Sequence, residues 1–164
     1  MKTLLILRHA KSSWGDASRD DRERPLNARG RRDAPRVGDR LRDAALVPDV
    51  IITSDAVRAH TTAVAVAEAA GFAGDLVVDP LLYHASPEDV LAVVRTVPDA
   101  HARIVMIVGH NPGLEDLVEQ LAGKRHHLPT AALAHLALAM DAWDELDAST
   151  RATLVDLWRP KELP

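Results

Sequence analysis

The sequence predicts an α/β protein: a three-layer α/β/α sandwich on a mostly parallel central sheet that finishes in an antiparallel hairpin. Three observations carry this. Short apolar runs alternate with longer amphipathic segments along the whole chain, the mark of parallel strands joined by helical crossovers. The run ARIVMIVG is apolar throughout, as in a central parallel strand covered on both faces, and KTLLILR near the N-terminus resembles it, so the two are expected side by side. The last two apolar runs, AALAHLALA and ATLVDLW, are joined across Asp141 to Arg151 without room for a helix, which calls for antiparallel pairing.

Taken in order, strand one is expected near 3–8 and a first helix near 27–44, capped by Asn27. Between them runs SSWGDASRDDRERPL (12–26), a loop whose length in so compact a domain marks it as functional or flexible. A strand near 50–53 leads to a helix near 55–70, with Thr53 or Ser54 as its cap. A strand near 76–79 precedes a helix near 87–96, where Ser86-Pro87-Glu88-Asp89 supplies a cap, a first-turn proline and a capping-box acid. A strand near 103–108 runs through GHNPG into a helix near 113–122, with Asn111 and Pro112 expected as cap and first helical residue. Strands near 133–138 and 152–158 close the chain.

The 164 residues fit one domain, 1–164, able to bury a sizeable core. With 47% hydrophobic residues but few aromatics (Phe72, Tyr83 and three Trp), Leu, Val, Ile and Ala must fill that core. A net charge of −4 argues against whole-protein attraction to nucleic acid or anionic membrane, so an anion site must be local. The absence of cysteine excludes disulfides, thiolate catalysis and sulfur-ligated metals. The first apolar run is too short for a signal segment or a membrane span, and the cytoplasm is the default expectation.

Polar groups of one kind gather where the parallel strands end, the edge at which such sheets bind ligands. Arg8 and His9 leave strand one, Ser54 and Arg58 follow the second strand, and His110 with Asn111 follows IVMIVG. Two arginines and two histidines beside helix N-termini describe a pocket for a doubly charged oxyanion such as a phosphoryl group. The Arg-His dipeptide alone means little, since Arg125-His126 is a second one. His126-His127 lacks a patterned carboxylate partner and reads as a solvated loop.

In their order, LRHAKSSW, RPLNARG, SDAVRAHTTA and GHNPGLEDLV resemble the histidine phosphatase superfamily, and within it the SixA-like phosphohistidine phosphatases. The resemblance spans nearly the whole chain and implies a phosphoglycerate mutase-like fold. It implies His9 as the phosphorylated nucleophile and Arg8, Arg58 and His110 as the phosphate pocket, with Asn27 and Ser54 as further lining residues. It implies no cofactor and no metal, since the arginines and histidines already supply the positive field. The partner it implies is a phosphorylated protein, such as a histidine phosphotransfer domain.

The chemistry suits these residue types. A neutral imidazole attacks phosphorus in line if its other nitrogen is held as a donor, and two guanidinium forks match the equatorial phosphoryl oxygens. The chain departs from the mutase-like members: their leaving-group glutamate has no clear match in DPLLYHASPEDV, and Ala10 stands where many members have glycine. A phosphoramidate tolerates a weak general acid better than an ester does, because protonated imidazole departs neutral. Two alternatives compete. One is a phosphatase of small phosphoesters, with His84, Glu88 or Glu115 giving the proton. The other is a module that binds phosphate without turnover.

Overall fold

The structure, a computed structural model, describes residues 1–163. Six strands form one sheet: β1 (Lys2–Arg8), β2 (Val50–Thr53), β3 (Asp75–Val78), β4 (Ile104–Gly109), β5 (Leu133–Leu138) and β6 (Thr153–Trp158), in the order β3-β2-β4-β1-β5-β6. The first four in that order are parallel, and β5 and β6 add an antiparallel end. β1 and β4 are neighbours, as their shared all-apolar pattern predicts.

The helices α1 (Ala28–Asp43), α2 (Val57–Ala70), α3 (Pro87–Arg95) and α4 (Gly113–Ala122) divide between the two faces. Side chains alternate across a strand, so β1 sends Leu5 and Leu7 to one core and Leu4 and Ile6 to the other. The first core also takes Val37 and Leu41 of α1 and Ala63 and Val66 of α2, whereas the second takes Val90 and Val94 of α3 and Leu114, Leu117 and Leu121 of α4. This is the expected three-layer sandwich. Among the described residues no helix is long and apolar enough to cross a membrane.

Local signals set two of the four helix starts. Asn27 caps α1 by accepting from Gly30 N at 2.9 Å, and Ser86 and Asp89 form the capping box of α3. Two predicted caps are corrected. The α2 cap position is Ala56, with no side-chain cap bond, because Asp55 and Ala56 intervene between Ser54 and the first helical residue, Val57. At α4 the cap position is Pro112, and Asn111 lies one residue too early, its amide donating instead to Glu115 and to the Leu128 carbonyl.

The loop from Ser12 to Leu26 is tied shut at its base. Ser12 and Leu26 form an antiparallel bridge, Ser13 N donates to Pro25 O at 2.8 Å, and Asn27 N donates to Lys11 O at 3.0 Å. Gly30 permits this closure, since a Cβ there would stand 2.1 Å from the Lys11 carbonyl oxygen. The RPLNARG segment thus clamps the chain leaving β1 against the start of α1.

Candidate active site

Register brings the strand ends level. Arg8 pairs with Gly109 and Thr53 with Val108, so the next residues, His9, Ser54 and His110, emerge at one edge. Backbone bonds hold them there: His9 N donates to Gly109 O and Ser54 N to Val108 O, each at 3.0 Å. The His9 and His110 rings lie 5.1 Å apart between centroids. Arg8, His9, Arg58 and His110 all line one pocket of about 330 Å³, together with Lys11 and Arg24, against a single carboxylate, Asp21.

His9 is 7% exposed, and its Nδ1 lies 2.8 Å from the Ala10 carbonyl oxygen. A carbonyl only accepts, so Nδ1 carries the proton and Nε2 keeps its lone pair. Burial lowers the His9 pKa to about 4, with the Arg58 and Arg8 charges adding to it and the Ala10 bond opposing, so the ring is neutral at pH 7. Ala10 N donates to Thr62 Oγ1 at 3.0 Å, and that hydroxyl donates to the Arg58 carbonyl at 2.7 Å. The turn that bears His9 is therefore bonded to the helix that carries Arg58.

His110 is held by its other nitrogen. Nε2 lies 2.8 Å from Ser54 Oγ, which already accepts from Ala56 N at 3.2 Å. Ser54 Oγ has no other acceptor for its own proton among the described hydrogen bonds, and donating that proton to Nε2 makes Nδ1 an N–H donor. Burial, reinforced by His9 and Arg58, lowers the His110 pKa to about 3.

Arg8 donates from Nη1 to the Leu128 carbonyl at 3.0 Å. Arg58, 4% exposed, gives Nη1 to the Asp21 carbonyl at 2.6 Å and Nη2 to Asp21 Oδ2 at 3.0 Å. Arg8 Nε, Arg58 Nε and His110 Nδ1 are buried without a hydrogen-bond partner.

Two residues named from the sequence do not line this pocket. Asn27 is occupied in capping α1, and Ser54 is fully buried, bonded to His110. Of the alternative proton donors, Glu115 is spent on Leu128 N, His127 and Asn111, and Glu88 sits at the start of α3 outside the pocket. His84 does line it, with φ of 54° and its ring 4.0 Å from that of Tyr83. His127, read as solvated, is exposed and pairs with Glu115. Among the described residues no cluster of His, Asp and Glu is arranged to hold a metal ion.

Sequence reasoning missed Asp21 and Tyr83. Asp21 Oδ2 accepts from the Tyr83 hydroxyl as well as from Arg58, and Oδ1 accepts from Arg24 Nε at 3.0 Å. These donors, the Tyr83 hydroxyl foremost, hold the Asp21 carboxyl well below the usual range, and burial and Asp21 push the Tyr83 hydroxyl up. The signal available was the acidic loop itself, which contains Asp16, Asp20 and Asp21 with nothing to rank them.

Residues 4–86 match the family model of the histidine phosphatase superfamily, branch 1. The chain belongs to this superfamily. The matched span holds Arg8, His9 and Arg58, and His110 joins them through the β1–β4 register rather than through that span. The chain is 30% identical over 152 residues to an uncharacterized chloroplastic protein of Arabidopsis thaliana, an alignment covering 88% of the chain and 70% of that protein. A solved structure from Nakamurella multipartitia, named as a candidate phosphohistidine phosphatase SixA, superposes with a TM-score of 0.85 at 28% identity, covering 97% of this chain and 96% of that one. One from Agrobacterium tumefaciens, named likewise, gives 0.82 at 29% identity, with 97% and 98% covered. The fold is phosphoglycerate mutase-like, the chain is SixA-like within its superfamily, and these likenesses support phosphatase activity.

Proposed function

We propose that the chain is a metal-independent phosphatase that works through a covalent phosphohistidine at His9 and removes phosphoryl groups from phosphohistidine on a protein. The observation that carries this is the His9 tautomer: Nδ1–H fixed on the Ala10 carbonyl, Nε2 free to attack, in a pocket shared with Arg8, Arg58 and His110. Buried donors without a partner cost about 1–3 kcal/mol each, and Arg8, Arg58 and His110, which hold three such nitrogens, line the pocket that a phosphoryl group would enter.

In the first step His9 Nε2 bonds to phosphorus as the bond from phosphorus to the substrate nitrogen breaks. Because Nδ1 keeps its proton, the phosphorylated His9 ring is cationic and the Ala10 carbonyl faces the charge that develops. Water then attacks phosphorus, His9 leaves as neutral imidazole with its lone pair restored on Nε2, and the water's proton departs with phosphate or to solvent. Fixed donors on the equatorial oxygens stabilise both transition states.

The choice of substrate rests on the leaving group. Asp21, the carboxylate in the pocket, is held ionised by its donors, and burial keeps His9 and His110 neutral. None of these three is an acid at neutral pH, which leaves His84 as the alternative donor in the pocket; a leaving group that brings its own proton needs no such donor, and a protonated phosphoimidazole is one. The SixA relatives are named for that substrate class. Comparing turnover of phosphohistidine, an aryl phosphate and an alkyl phosphate tests this. Phosphohistidine should have the highest kcat/KM and the alkyl ester the lowest; equal or faster turnover of the alkyl ester would replace this reading with a small-phosphoester phosphatase.

A further inference from the structure

We infer that Asp21 is a positioning residue for phosphoryl transfer, acting through Arg58. This rests on the proposed role of Arg58 in holding the phosphoryl group. Arg58 lies in the first turn of α2, on a long side chain whose rotamer freedom is considerable. Asp21 removes that freedom by binding both terminal nitrogens, one through its backbone carbonyl and one through its carboxylate. Two contacts from one residue to the two prongs of a planar fork fix both the place and the plane of the guanidinium. The nitrogen they leave unpartnered is Nε.

Asp21 is itself held from two further directions. Tyr83, which follows the short turn Pro80–Leu82 after β3, donates its hydroxyl to Oδ2. Arg24 donates Nε to Oδ1 at 3.0 Å and passes Nη1 to Ser12 Oγ at 2.6 Å, at the closed base of the loop. The exits of β1 and β3 are thereby joined to α2 through one carboxylate. Three donors fill three of the carboxylate's roughly four acceptor sites, two of them on Oδ2, which suits an orienting group better than a proton carrier. It also gives the 12–26 loop a purpose: the bridge of Ser12 and Leu26 closes it, and the turn Asp21–Glu23 presents the carboxylate.

The test is a double-mutant cycle in the full-length chain, with phosphoramidate as substrate and vanadate and inorganic phosphate as ligands. Asp21→Ala should lower kcat about ten- to a hundredfold with a smaller change in KM, since misplacement of a transition-state contact on this scale costs that much. Asp21→Asn, which keeps an acceptor oxygen, should fall between it and the unaltered protein, and Tyr83→Phe should act in the same direction more weakly. In an Arg58→Lys background Asp21→Ala should add little further loss, because the group it positions is gone. Full additivity of the two losses would overturn the inference, as would tighter phosphate binding in Asp21→Asn, which would make Asp21 an occupant of the anion site. If the unaltered protein turned over no phosphoryl compound, the proposed function would fail on its own. The coupling of Asp21 to Arg58 would then be read from calorimetric phosphate affinity, where its absence would sink this inference separately.

Discussion

The ends of β1 and β4 carry the same residue to different effect. His9 and His110 follow paired positions, are equally buried, and are both neutral at pH 7. His9 is gripped at Nδ1 by a backbone carbonyl, His110 at Nε2 by a serine hydroxyl that has a proton to give. One ring therefore offers a lone pair and the other an N–H. The difference lies in the partner behind each ring, so what a histidine contributes to a site is read from the nitrogen that faces away from it.

The largest expected effect follows from removing the lone pair. His9→Ala should cut turnover by at least about 10³-fold while the melting temperature stays close to that of the unaltered protein, as measured by single-turnover assay and thermal melt. Retained activity would show that the contrast between the rings has no catalytic meaning. Removing the donor should cost less: His110→Ala is expected to lower kcat about 10²-fold, the usual cost of one transition-state donor, without preventing phosphorylation of His9.

A finer test reaches the tautomer itself. Ser54→Ala should leave the His110 ring in place but free its proton to sit on either nitrogen, with a loss of about tenfold, the worth of one hydrogen bond. Nitrogen-15 shifts of His110 would report the mixture of tautomers. Unchanged shifts and unchanged kcat would mean that Ser54 does not set the tautomer.

Burial of both rings also predicts a sign for acid stability. Each folded pKa lies below the ordinary 6.5, at about 4 for His9 and about 3 for His110, so the unfolded chain binds more protons than the folded one as pH falls below about 6.5. The stabilisation is present above that value and is lost on acidification toward pH 4 and then 3, with a slope of up to about 1.4 kcal/mol per pH unit for each ring. Urea unfolding at pH 7, 5.5 and 4.5 should show it, and His9→Asn should remove one ring's share of the slope. A slope identical in the two proteins would contradict the neutral, buried state of His9. The smallest effect expected is none: exhaustive chelation should leave activity intact, and loss with EDTA restored by a divalent ion would move the chemistry to a metal.

What was legible in the sequence was what is local or repeated. The all-apolar runs of β1 and β4 announce central strands, the Ser86–Asp89 box announces a helix, and Arg8 ends, and His9, Arg58 and His110 follow, strands whose ends the parallel pattern aligns. What depends on chain folding back was not. Arg58 meets Asp21 across 37 positions and Tyr83 meets it across 62, and no periodicity marks which of three loop aspartates arrives there. Ser54 was misread for a related reason: a serine just after a strand looks like a helix cap, and only the extra turn through Asp55 and Ala56 turns its hydroxyl to His110 instead.

The central claim is that His9 carries the phosphoryl group and His110 does not. Rapid quench into base during turnover, followed by peptide mapping, measures this directly, because phosphohistidine survives alkali and is lost in acid. The account predicts an acid-labile phosphoryl group on His9, absent in His9→Ala and still formed in His110→Ala. A label on His110, or phosphate release with no labelled histidine at any time point, would contradict it.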